Sequence, residues 1–192
     1  MRQTLRSEGL SPDDAGRYAL WLLPGGEAGR QFALVIAHLA RRYQAPGFEP
    51  HVTLASVAGD QRDAAALGAR CAQLAAQTAA VHVQPRGISS GDAFFRHLYT
   101  PLAPNHSLTR LRDALLDEAE LPISDRPGNE TEPFAPHLSL LYRRAAQRDS
   151  DGYALYTADL PLAPFTLNRL ALVQLAADPA DWRNLGSWPL RR

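Results

Sequence analysis

Two pentapeptides carry the side chains best suited to chemistry: Pro50-His51-Val52-Thr53-Leu54 and Pro136-His137-Leu138-Ser139-Leu140. Each is a Pro-His followed by an apolar residue, a hydroxyl residue and a leucine. Alternate side chains of a β-strand share a face, so each phrase presents an imidazole and an alcohol together and turns its apolar residues toward a core. Side by side, the two phrases supply two groups that exchange protons near neutral pH and two neutral hydrogen-bond donors. Such a set suits a small anion, and a phosphate in particular.

The remaining reactive residues narrow the chemistry. His38, His82, His97 and His106 have no His, Cys, Asp or Glu at a metal-ligand spacing, and no His-Glu-x-x-His occurs, so structural or surface roles are expected for all four. The expectation is a site with no metal and no cofactor. Cys71 is the single cysteine, which excludes a disulfide within the chain, and its alanine-rich surroundings suggest a small buried residue. All 20 basic side chains are arginine, which excludes lysine chemistry. There is no Walker loop, no Gly-x-Gly-x-x-Gly after a strand and no Gly-x-Ser-x-Gly elbow. The formal net charge of zero lacks the basic excess of a protein that tracks long nucleic acid, and favours a small phosphorylated substrate.

His51 and His137 meet only if the fold brings them together. Tyr18 to Leu23 has the continuous apolar character of a strand, stopped by Pro24-Gly25-Gly26, and Ala28 to Tyr43 carries Phe32, Val35, Ile36, Leu39 and Tyr43 at helical spacing. The first histidine phrase falls on a strand from Phe48 to Ala55. Strong helix formers fill Asp60 to Ala80, and Val81 to Gln84 turns extended. Phe94 to Thr100 is a bulky strand candidate; Asn105 or Ser107 then caps a helix running to about Glu120. A polar, proline-bearing segment from Leu121 to Pro136, long enough to form a lid, precedes the second histidine strand, and Thr166 to Ala176 is the last strand expected. Strand and helix alternate in both halves, which favours an α+β or α/β sandwich with the Pro-His phrases as equivalent strands facing each other across a cleft. Residues 1–16 are expected to be a flexible N-terminal segment and 17–192 a single two-lobed domain. The apolar run near the start is too short for a signal core or a membrane span, so a cytoplasmic protein is expected.

At these residues the chain resembles the two-histidine (2H) phosphoesterase superfamily, whose members carry two His-x-Thr/Ser motifs on facing strands. Tyr18-Ala19-Leu20-Trp21, Phe48-Glu49 before the first motif, Ser89-Ser90-Gly91-Asp92 with Phe94-Phe95-Arg96, and Pro133 to Tyr142 around the second motif look like its cyclic phosphodiesterase-like branch. The resemblance implies a bilobal, LigT-like α+β fold with two pseudo-symmetric lobes, antiparallel sheets lining a central cleft and helices outside. It implies metal-independent opening of a small cyclic phosphate, a nucleoside 2',3'-cyclic phosphate or ADP-ribose 1'',2''-cyclic phosphate. It also implies that His51 and His137 are catalytic, that Thr53 and Ser139 bind phosphate, and that Trp21, Tyr142, Phe94 and Phe95 contact substrate. Strict alternation puts Tyr142 on the face opposite His137, so its ring reaches the cleft if the strand ends or bulges after Leu140. Phe94 and Phe95 have opposite strand parity, so at most one is expected to face a bound base. Arg96, Arg126 and Arg143 near the cleft are candidates to bind a second phosphate, although a solvated surface position is the default for arginine.

Two other functions fit the same residues. One is the RNA-processing branch of the superfamily, acting on RNA 2',3'-cyclic ends or 2'-5' linkages. The other is a non-catalytic nucleotide or phosphate binding module. None of these readings calls for a membrane or an obligate protein partner.

Overall fold

The structure is a computed structural model that describes residues 16–116, 134–144, 153, 157, 160 and 162–192. The N-terminal segment before Gly16, the end of the helix expected to reach Glu120 and nearly all of the expected lid lie outside the described residues. In chain order the elements are β1 (Gly16–Pro24), α1 (Gly26–Tyr43), β2 (Val52–Gly59), α2 (Gln61–Gln77), β3 (Val81–Val83), β4 (Ser89–Ser90), β5 (Leu98–Pro101), α3 (His106–Leu116), β6 (His137–Leu141), β7 (Phe165–Leu175) and β8 (Arg183–Pro189). A 3₁₀ turn over Phe94–Arg96 precedes β5.

The strands form one antiparallel sheet in the order β3-β7-β1-β2-β6-β5-β4, with β8 on β7. Its two halves meet where β2 pairs with β6 through Val52 and Leu138, the central residues of the two Pro-His phrases. The fold is thus the α+β arrangement expected, with the two motifs at the seam between the lobes.

β1 shows why an unbroken apolar run forms a strand here. Tyr18, Leu20 and Leu22 pack into the large core beneath the helices, whereas Ala19, Trp21 and Leu23 join Ala171 and Val173 of β7 on the opposite face. Both faces are buried, so the sequence does not alternate. α1 buries Phe32, Ile36, Leu39 and Ala40, and α3 buries Leu108, Leu111 and Leu115, the stripes their spacing dictates. Asn105 accepts from the amides of Ser107 and Leu108 at 2.9 and 3.2 Å, capping α3 as expected. At the start of α2, Asp60 and Asp63 bond each other's amides at 2.7 and 3.0 Å in a reciprocal cap.

Three expectations are corrected. Phe94 to Thr100 is not one strand: Phe94–Arg96 is a 3₁₀ turn and only Leu98–Pro101 is extended. Aromatic residues satisfy the strand pattern, but here the carbonyls of Phe94 and Phe95 are taken by the Arg143 amide and the Ser139 hydroxyl instead of by a ladder partner. Thr166 to Ala176 is not the last strand, because β8 pairs along its outer side with an edge sequence too polar to alternate visibly. The first histidine strand begins at Val52 and not at Phe48, since Pro50 lacks the amide a ladder requires.

Candidate active site

The seam fixes the geometry of the four motif side chains. With Val52 opposite Leu138 in an antiparallel pair, the register sets His51 across from Ser139 and Thr53 across from His137, all four on one face. Each histidine therefore faces the hydroxyl of the other motif as well as neighbouring the one on its own strand. The row continues outward: Thr53 is paired with Trp21 on β1, and Ser139 with Tyr99 on β5.

Both motifs also break register at the same place. β1 aligns Trp21 with Thr53 and Leu20 with Ala55, which leaves Leu54 as an extra residue; β5 aligns Tyr99 with Ser139 and Leu98 with Leu141, which leaves Leu140 as an extra residue. The final leucine of each phrase is thus a buried bulge, and a bulge reverses the facing of the residues beyond it. This resolves Tyr142: β6 bulges at Leu140 and ends at Leu141, and the Tyr142 hydroxyl lies 3.3 Å from His51 Nε2.

The imidazoles are anchored alike. His51 Nδ1 donates to the Glu49 carbonyl at 2.6 Å and His137 Nδ1 to the Ala135 carbonyl at 3.0 Å, each two residues back. The prolines between them hold the preceding residue extended, which aims that carbonyl at the ring. Carrying its proton on Nδ1, each neutral ring keeps the Nε2 lone pair for chemistry, and Tyr142 donates to that of His51.

The two rings differ in burial. His51 is 5% exposed, stacked flat on Trp21 with centroids 3.6 Å apart and planes within 8°, whereas His137 is half-buried. Burial pushes the His51 pKa down to about 4, against a partial lift from the Glu49 carbonyl and with a further push down from His137. Burial also lowers the pKa of His137; the Ala135 carbonyl opposes this and the Arg96 charge adds to it. Burial pushes the Tyr142 phenol well above its ordinary value, so its hydroxyl stays protonated.

Ser139 Oγ donates to the Phe95 carbonyl at 2.7 Å and ties β6 to the 3₁₀ turn, while the Thr53 hydroxyl has no hydrogen-bond partner among the described residues. Phe94 and Phe95 both approach Tyr142, with centroids at 5.9 and 5.1 Å, and they lie on a 3₁₀ turn, to which strand parity does not apply. Phe95 is 49% exposed, the most open ring of the group, whereas Trp21 and Tyr142 are 4% and 2% exposed. Sequence reasoning missed Phe48, which stacks on Tyr142 at 3.7 Å, and Trp182, whose ring lies 5.5 Å from Trp21, 5.9 Å from Tyr142 and 5.9 Å from Phe95. Phe48 stood within the quoted motif segment; Trp182 lies beyond the last strand expected and carried no signal. Among the described residues no three His, Cys, Asp or Glu side chains are grouped to hold a metal ion, and no helix is long and apolar enough to cross a membrane.

An antiparallel seam bearing two Pro-His motifs on one face is the architecture of a two-histidine phosphoesterase. The chain belongs to that family: the model of the 2'-5' RNA ligase superfamily matches residues 28–179. It is 30% identical over 177 residues to a cyclic phosphodiesterase of Arabidopsis thaliana, with 89% of this chain and 90% of the relative covered. Among solved structures, one described only as a phosphoesterase is similar with a TM-score of 0.60 at 15% identity, covering 93% of this chain and 100% of that one. E. coli LigT complexed with 3'-AMP has a TM-score of 0.55 at 16% identity, again over 93% of this chain and 100% of the other. These last two likenesses are of fold.

Proposed function

We propose that the protein hydrolyses a small cyclic phosphodiester, a nucleoside 2',3'-cyclic phosphate or ADP-ribose 1'',2''-cyclic phosphate, to a phosphomonoester. The observation that carries this reading is the pair of imidazoles at the seam, each held by a backbone carbonyl at Nδ1 with Nε2 left to act. One ring takes a proton from the attacking water while the other gives a proton to the departing sugar oxygen, each transfer contributing ~10²- to 10⁴-fold. An anionic phosphate between them opposes the effect of burial and returns one proton to the pair. Thr53 and Ser139 donate to the phosphoryl oxygens as charge builds there, Ser139 by exchanging the Phe95 carbonyl for the ligand. Phe95, with the half-buried Trp182 beside it, is a face for the base, whereas Trp21 and Tyr142 act on His51. The scheme uses no metal.

The test is incubation with 2',3'-cyclic mononucleotides and with ADP-ribose 1'',2''-cyclic phosphate in EDTA, with product identification. Ring opening is expected in the wild type and is lost in His51→Ala and His137→Ala; full activity in either variant overturns the scheme, and binding without turnover identifies a non-catalytic module. The name of the matched family supports the RNA-processing reading as the alternative. Stronger and salt-sensitive affinity for oligonucleotides over mononucleotides would favour it, because each phosphate contact releases counterions.

A further inference from the structure

We infer that Arg96 and Tyr99 form a subsite for a second phosphate group of the substrate, on the His137 side of the cleft. The inference rests on the proposed reading that the seam takes a cyclic phosphodiester. Tyr99 is paired with Ser139, so its ring stands on the face that carries the motif side chains, and it meets the His137 ring edge-on with centroids 5.5 Å apart. Arg96 closes the 3₁₀ turn that bears Phe94 and Phe95. Its guanidinium lies over the Tyr99 ring at 4.8 Å and donates to the Tyr99 hydroxyl at 3.3 Å. No acidic side chain among the described residues pairs with it.

The three arginines near the motifs separate in the structure. Arg143 turns away to the Tyr43 ring, 5.0 Å from its centroid, and Arg126 lies outside the described residues. Arg96 alone of the described pair stacks on a ring that meets a motif histidine, and its charge is felt at His137. A half-buried guanidinium placed beside an imidazole that must at times carry a proton is unfavourable without an anion to share it. The planar fork, held by stacking and by one bond to Tyr99, keeps its remaining donors for a phosphate in bidentate geometry. One turn therefore offers an exposed ring for a base and, beside it, a cation for a phosphate. The ligand class is a nucleotide that carries a phosphate group beyond the one being opened, whether a terminal 5'-phosphate or a bridging one.

Calorimetric affinities for adenosine 2',5'-bisphosphate and adenosine 2'-monophosphate test the subsite without requiring turnover. The wild type is expected to bind the bisphosphate at least roughly tenfold more tightly, the effect of one hydrogen bond to a charged group. Arg96→Gln is expected to bring that ratio close to one; Arg96→Met, which keeps an apolar stem over Tyr99, replaces it if thermal melting shows the glutamine variant unfolded. Equal affinities in the wild type, or a ratio that persists in a folded Arg96 variant, overturn the subsite. Comparing 2',3'-cyclic AMP, its 5'-phosphorylated form and a dinucleotide with a 2',3'-cyclic end separates a terminal from a bridging phosphate. If no cyclic phosphate is opened, the proposed hydrolysis fails, whereas the affinity ratio still decides the subsite.

Discussion

Trp21 lies flat against the His51 imidazole, ring centroids 3.6 Å apart and planes within 8°, and shields it from water while the Glu49 carbonyl holds its far nitrogen. The stack fixes the ring plane and supplies part of the burial that keeps His51 neutral. Trp21→Ala is expected to cost about 3–5 kcal/mol of stability and to lower kcat more than it raises KM. Trp21→Phe preserves a stacking face and is expected to recover most of the loss. Thermal melting and steady-state kinetics on the two variants check this.

The pH profile of kcat/KM is expected to be bell-shaped and displaced to acid. Both histidine pKa values are lowered by burial, so the singly protonated pair of the free enzyme is populated below the ordinary histidine value of 6.5. The low limb falls near about 4, and the limbs belong to the coupled pair and not to either residue alone. A maximum on the alkaline side of roughly 7.5 would contradict it. In Trp21→Ala, whose His51 is rewetted, the low limb is expected to move toward 6.5.

Folding stability tracks the same group with a definite sign. Between about 4 and 6.5 the unfolded chain binds a proton on His51 that the folded chain does not, so stability rises with pH across that window. The contribution is complete above 6.5 and is lost as pH falls toward about 4, by about 3 kcal/mol at most for a shift of this size. Denaturant midpoints measured from about pH 4 to 7 are expected to vary less in His51→Gln than in the wild type.

Tyr142→Phe removes the hydroxyl that donates to His51 Nε2 and keeps the ring that stacks on Phe48 at 3.7 Å. Thermal stability is expected to stay within about 1.5 kcal/mol, the size of one hydrogen bond, while kcat falls. A kcat equal to that of the wild type would remove Tyr142 from the site.

Thr53 and Ser139 are expected to respond differently although their motifs match. Thr53→Val deletes a hydroxyl without a partner among the described residues and is expected to lower kcat/KM with little effect on the fold. Ser139→Ala also frees the Phe95 carbonyl that pins the 3₁₀ turn, so KM is expected to rise and the melting temperature to fall together. Equal responses in both variants would show that the Ser139 tie to Phe95 is not formed in solution.

The candidate site was legible in the sequence because it resides in residue types at strand spacing: two Pro-His phrases, each with a hydroxyl two positions on. Helical stripes such as Leu108, Leu111 and Leu115, and the Asn105 cap, are local and were equally plain. Register is not local. Only pairing across the sheet sets Val52 against Leu138, exchanges hydroxyls between the motifs, and places bulges at Leu54 and Leu140 that turn Tyr142 back to His51. Trp182 reaches the site from the far end of the chain, and Phe94 to Arg96 gives up its strand pattern for a turn tied to β6, because carbonyl partners remote in sequence outweigh a weak local preference. The residue types determine that two imidazoles and two alcohols are available; the antiparallel seam decides which faces which, since a shift of one residue would send every side chain of a strand to the other face.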